Sequence, residues 1–149
     1  TVIETNGAPQ ISINQGTTTR FDAMSPIDVE EAGGQPIISL LRGTRRPNPI
    51  EIHLLERHPL GSQAFMPLSQ YDWLVVVAHG NAAGDAPDFS TLACFKASGI
   101  QGVSYNRGTW HHPLLTLQAS QDFLVIDRQG DGHNLDEVWH DGPAAIIQP

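Results

Sequence analysis

Three short stretches of the chain hold most of the side chains able to move a proton or grip a charged ligand. The first is Glu56-Arg57-His58, at the end of the apolar run 50–55 and just before Pro59. In extended backbone alternate side chains share a face, so Glu56 and His58 converge while Arg57 points the other way. A carboxyl group beside an imidazole is a workable general acid–base pair. It is also what a salt-bridged, solvated strand end looks like, with Pro59 ending the ladder. The second stretch is Tyr105-Asn106-Arg107-Gly108-Thr109-Trp110-His111-His112-Pro113. Adjacent histidines on a strand face opposite ways, so at most one of His111 and His112 enters an interior. The Gly108-x-x-His111 spacing suits a turn that delivers a histidine to the next strand. The plainer alternative packs Trp110 and one histidine in a core, with Pro113 marking an edge. The third is Asp122-Phe123-Leu124-Val125-Ile126-Asp127-Arg128, an apolar strand closed by an acid and a base. Asp127 reads as a charged strand end, whereas the Arg128 guanidinium offers bidentate hydrogen bonds to a carboxylate.

Charge narrows the choice of ligand. Sixteen acidic residues against eight basic ones give a net charge of -8, and apart from Arg45-Arg46 the basic residues are scattered. Nucleic-acid binding needs a clustered positive footprint and is not expected. In so acidic a chain, arginines in apolar or aromatic company are candidate anchors for a carboxylate substrate, and these are Arg57, Arg107 and Arg128. His53, beside Glu51, reads as structural or rim, and nothing supports a role for His79, His133 or His140. No phosphate-cradling glycine loop, nucleophile elbow, Cys-x-x-Cys pair or zinc-protease helix is present.

The elements that must position these groups are short. Apolar runs at 36–41, 50–55, 64–68, 73–78, 102–105, 114–117 and 123–127 are separated by Gly, Pro, Asn and Asp. That rhythm predicts an all-β sandwich or barrel built from meanders, with little helix. Residues 91–97 fit a strand or a short helix capped by Ser90. Residues 80–88 read as a surface loop, and those after Asn134 as a strand or short helix followed by a tail. The length of 149 residues predicts one domain spanning 1–149. Cys94 is the only cysteine, so no internal disulfide can form and a reducing cytoplasm fits best. No apolar run has the length of a membrane span, so no membrane partner is expected. The chain begins at Thr1 rather than Met, and a leading segment is expected before it.

Two of these stretches also carry a family resemblance. Residues 52–68, centred on Glu56-Arg57-His58-Pro59-Leu60-Gly61-Ser62-Gln63-Ala64-Phe65, and residues 102–114, which contain the Tyr105 to Pro113 stretch, resemble the two signature blocks of ureidoglycolate lyases. Asp122 to Arg128 is similar to a third, and Leu74-Val75-Val76-Val77-Ala78 to the family's apolar strand. The resemblance implies a cupin-like double-stranded β-helix, a jelly-roll barrel, assembled as a homodimer. It implies elimination of urea from ureidoglycolate to give glyoxylate, in allantoin and purine nitrogen catabolism, and no organic cofactor. Under it, Glu56, His58, His111 and His112 are the catalytic candidates. Gln63 and Tyr105 would hold the urea end, and Arg57, Arg107 or Arg128 the carboxylate. Cupins commonly hold a metal with His-x-His, a later Glu and a further His. The matching positions are Glu56-x-His58, Gln63 and His111, with a carboxylate replacing the first histidine and an amide replacing the glutamate. The resemblance therefore implies a divalent ion, nickel in this family, on His58, Gln63 and His111. Two other activities remain open at the level of sequence: an amidohydrolase releasing ammonia and carbon dioxide, and a non-catalytic cupin that binds a small acid.

Overall fold

Apolar side chains that alternate with smaller or polar ones become strands in the computed structural model, which describes residues 1–149. The first half contributes β1 (Val2–Ile3), β2 (Gln10–Ile13), β3 (Thr18–Phe21), β4 (Gln35–Gly43), β5 (Ile50–Ile52), β6 (Leu54–Arg57) and β7 (Gln63–Pro67). The second half contributes β8 (Trp73–Ala78), β9 (Ala93–Ala97), β10 (Gly102–Tyr105), β11 (Trp110–His111) and β12 (Leu115–Thr116). It ends with β13 (Gln121–Gln129), β14 (Asp136–Trp139) and β15 (Ala145–Ile147). One sheet runs β1-β10-β7-β13-β4; the other runs β12-β8-β11-β6-β14, with β9 on the free side of β8. Two ribbons, β2–β3 and β5–β15, complete the set. All pairings are antiparallel, and the helical content is limited to three single-turn 3-10 segments. The expected all-β, cupin-like jelly roll with little helix is what the chain forms.

β13 shows why. Phe123 and Val125 are fully buried, while Leu124 and Ile126 between them are only half-buried. The buried pair joins Phe65, Trp73, Val75 and Tyr105 in a cluster between the two sheets. Trp73 and Phe123 meet edge to face with ring centroids 5.0 Å apart, a favoured aromatic geometry. Truncating a buried aromatic of this kind costs roughly 3–5 kcal/mol. A second cluster of Ile50, Ile52, Leu55, Leu74, Val76, Trp110 and Leu115 lies behind β8 and β6, with Ala145 and Ile147 of β15 packed on it.

The ambiguous segments resolve by local bonding. The Asp88 carboxylate, rather than Ser90, caps the short 3-10 turn at Phe89–Thr91, accepting from the Ser90 amide at 3.0 Å. The chain then continues as β9. Residues after Asn134 form β14 and β15. No helix is long and apolar enough to cross a membrane.

Candidate active site

β6 and β11 lie side by side, and their register sets His111 directly across from Glu56. His58 follows β6 by one residue and returns to the face of Glu56. A turn at Gly108, whose φ of 76° suits glycine, leads into β11. The Gly108 amide donates to the His58 carbonyl at 2.9 Å. The two histidine-bearing segments are thus tied by main chain before any side chain meets. The His58 and His111 rings lie 5.4 Å apart between centroids, and Tyr105, from the facing sheet, stacks on His111 at 4.1 Å and 13°.

The hydrogen bonds fix which ring nitrogen carries the proton. His58 Nδ1 lies 2.8 Å from the Asn134 carbonyl oxygen and His111 Nδ1 lies 2.8 Å from that of Thr109. A carbonyl only accepts, so both Nδ1 atoms carry hydrogen and both Nε2 atoms of the neutral rings present bare lone pairs. Each Nε2 is buried without a hydrogen-bond partner. His111 Nε2 sits 3.5 Å from Glu56 Oε1, and ligand atoms of Glu56, His58 and His111 all lie within 4.8 Å of one another. Acceptors converging without a donor are costly when buried. A proton or a cation between them removes the conflict, and two imidazoles with a carboxylate are a familiar divalent donor set.

Electrostatics agree with that arrangement. Burial raises the Glu56 carboxyl above its ordinary range, with His58 and Arg46 pulling it down and Glu137 pushing it up. Burial also lowers His111 to about 4, partly offset by its bond to the Thr109 carbonyl. His111 is therefore neutral at neutral pH, the form that offers a lone pair. Tyr105 is pushed up by burial and by Glu56, so its hydroxyl stays protonated and can donate.

The remaining candidates are placed as follows. Gln63 sits opposite Tyr105 in register, and its amide donates to the Asp127 carboxylate at 3.4 Å. His112 points to the other side of its strand, is buried, and donates from Nδ1 to the Pro113 carbonyl at 2.7 Å. Arg57 is held by Asp136 at 2.7 Å and the Gly84 carbonyl at 2.8 Å, and lies 4.6 Å above the Trp110 ring. Arg107 pairs with Asp28 at 3.4 Å and Glu31 at 2.8 Å. Arg128 is buried and gives four hydrogen bonds to the carbonyls of Glu31, Gly130 and Asp131. Sequence reasoning brought Glu56, His58, His111 and Tyr105 to attention, and the structure brings these four together. It read Asp127 as a charged strand end, whereas the structure sets that carboxylate against the Gln63 amide; its alternation with Phe123 and Val125 was the available signal. A cavity of about 640 Å³ meets this group only at Tyr105; Val77, Phe95, Val103 and Thr109 are among its other walls, and Glu56, His58 and His111 do not line it. Tyr105 is thus both a wall of the cavity and the stacking partner of His111.

Comparison with known proteins gives the family. The sequence model of the family described as ureidoglycolate lyase matches residues 1–147. The chain belongs to the ureidoglycolate lyase family. Among relatives within it, the ureidoglycolate lyase of Burkholderia mallei is 54% identical over 136 residues, covering 91% of this chain and 78% of the relative. That of Pseudomonas syringae is 47% identical over 146 residues, covering 98% and 84%. That of Pseudomonas putida is 46% identical over 138 residues, covering 93% and 81%. Glu56, His58 and His111 are the group of metal-ligating side chains that the fold gathers.

Proposed function

We infer that this chain is a carbon–nitrogen lyase that eliminates urea from ureidoglycolate to leave glyoxylate, as a step of purine nitrogen catabolism through allantoin. The observation that carries the reading is the convergence of two bare, buried imidazole nitrogens on the Glu56 carboxyl, in a chain of this family. The substrate bears a carboxylate, a hydroxyl and a ureido nitrogen on one carbon. When the hydroxyl loses its proton, its oxygen forms a carbonyl, the carbon–nitrogen bond breaks with its electron pair on nitrogen, and that nitrogen takes up a proton.

The chain's own groups divide that work. Glu56, whose proton affinity burial raises, takes the hydroxyl proton and returns it to the departing nitrogen. Tyr105, kept protonated, donates a hydrogen bond beside His111. Gln63, braced by Asp127, offers both a donor and an acceptor to the urea end. His112, on the far side of β11, holds that strand in place. His58 Nε2, His111 Nε2 and the Glu56 carboxylate would hold a divalent ion, nickel by the resemblance, with Glu56 rather than Gln63 as the third donor. When bound, such an ion supplies Lewis acidity to the substrate oxygens.

Residues 1–149 act as one unit in this reading, because the site draws on both sheets. A homodimer is supported by the outer face of the first sheet, where Ile38 and Leu40 of β4 are 71% and 69% exposed and lie beside Ile126 and Leu124 in register. A cytoplasmic setting is supported by the single, unpaired Cys94. The deciding experiment follows urea, glyoxylate and ammonia after chelation and after nickel is restored. Stoichiometric urea and glyoxylate, lost at least tenfold on chelation and regained with nickel, is the expected result. Ammonia without urea would replace the lyase with a hydrolase.

A further inference from the structure

We propose that Asn134, in the turn between β13 and β14, is the residue that positions His58: its side chain holds its own main-chain carbonyl against His58 Nδ1 and so keeps the bare Nε2 turned toward Glu56 and His111. What that nitrogen does there rests on the lyase reading above; that Asn134 directs it does not. His111 is oriented locally, by a carbonyl two residues back in its own segment. His58 is not. It lies beyond the end of β6, in the connection to β7, and the carbonyl that receives its hydrogen is 76 residues away in the chain. The opposite tautomer has a strong competitor, since the Glu56 carboxylate, which shares a 4.8 Å cluster with His58 and His111, would accept a hydrogen carried on Nε2. An imidazole whose one nitrogen is to meet a ligand needs a partner that keeps the hydrogen on the other.

The turn is pinned at both ends. Arg128 donates to the Gly130 and Asp131 carbonyls, and Asp136 pairs with Arg57 where β14 meets β6. Between these points Asn134 makes no main-chain hydrogen bond to main chain. Of residues 131–135 it alone turns inward, half-buried among exposed neighbours. Its side-chain oxygen accepts from the Leu60 amide at 2.8 Å, and its carbonyl oxygen lies 2.8 Å from His58 Nδ1. An N–H only donates, so the side-chain atom that meets the Leu60 amide is the oxygen and not the nitrogen. One residue thus grips the connection after β6 at two points, and its hold on Leu60 sets where its carbonyl meets the ring. Pro59 has no N–H, so Leu60 offers the first amide after His58. Gly132 lets the turn approach: its φ of 98° suits glycine, and an added Cβ there would lie 2.7 Å from Leu60 Cδ1.

The test uses the full chain with Asn134→Ala, with Asn134→Ser, whose oxygen stops one bond short, and with Asn134→Asp, which keeps an acceptor of the same reach. Leu135→Ala, at an exposed neighbour, controls for a loosened turn. The deciding measurement is the long-range proton–nitrogen NMR spectrum of the histidine rings in chelated protein at alkaline pH, which reports the nitrogen that carries hydrogen. In the parent and in Asn134→Asp, His58 should show hydrogen on Nδ1 and a bare Nε2. In Asn134→Ala and Asn134→Ser its two nitrogen shifts should move toward each other while those of His111 stay in place. Exchange of the Leu60 amide should quicken at least tenfold in the same two variants, and their calorimetric affinity for nickel should fall at least tenfold. An unchanged His58 pattern in either variant overturns the proposal, and so does a change of equal size in Leu135→Ala or in Asn134→Asp. The two readings fail separately. A His58 pattern that depends on Asn134, in a protein that makes no urea, rejects the lyase and keeps the positioning role. Full lyase turnover with an unmoved pattern in Asn134→Ala does the reverse.

Discussion

Two main-chain carbonyls decide what His58 and His111 can do. By holding both Nδ1 protons they leave Nε2 as the only reactive nitrogen on either ring. His58→Ala and His111→Ala should each lower kcat/KM by at least a hundredfold and reduce bound nickel, with the circular dichroism spectrum unchanged; near-normal turnover in both would remove them from the mechanism. Burial also makes a thermodynamic prediction. His111 and His112 are both lowered to about 4, so below the ordinary histidine value the unfolded chain binds protons that the folded chain refuses. Their contribution is complete above about pH 6.5 and is lost as pH falls toward 4. In chelated protein, denaturant unfolding should show a loss on the order of 2 kcal/mol per histidine between pH 7.5 and 5. A flat profile would contradict two buried neutral rings. The shared face of Glu56 and His58 was legible from period-two alternation alone. The commitments of the arginines were not, because decisive partners come from remote chain: Asp136 for Arg57, and the turn carbonyl of Glu31 for Arg128.

At the scale of elements, Arg128 is a tie between segments rather than a free anchor. Its guanidinium joins the turn that precedes β4 to the turn that follows β13, and three glycines crowd it. An added Cβ at Gly61 would come within 2.7 Å of the Arg128 Cβ, and one at Gly130 within 3.3 Å of its Nη2, while the Gly34 Cα stands against the same group. Arg128→Ala should therefore lower stability by about 3 kcal/mol through several unmet carbonyls, read as a fall in Tm, and Gly61→Ala should do the same by displacement. If Arg128→Ala keeps its Tm and loses only substrate affinity, the residue is an anchor after all. The strands themselves were well marked, since 36–41, 64–68, 73–78 and 123–127 each fall within β4, β7 with one residue beyond, β8 and β13. The β2–β3 ribbon was not, because its side chains are nearly all exposed and leave no burial pattern to detect.

The whole molecule presents one sheet face that a lone copy would leave wet. Ile38, Leu40, Leu124, Ile126 and Met66 share the outer side of the first sheet by register, and β4 is its edge. Such a surface is usually covered. Leu40→Asp is expected to convert a dimer to a monomer in sedimentation velocity at micromolar concentration, with little loss of secondary structure, since the side chain faces outward. A dimer that survives both Leu40→Asp and Ile38→Asp uses another face.

The carbonyls that orient the two imidazoles have a consequence for how such a site drifts over generations. Every residue supplies the same carbonyl, so replacing Thr109 leaves the oxygen where it was, whereas Asn134 also anchors its segment by accepting from the Leu60 amide at 2.8 Å. What displaces it is a change in the length of the chain between Tyr105 and His111, or between Gly130 and Asp136. The ring orientation is therefore written into loop length, and it should survive many substitutions but few insertions.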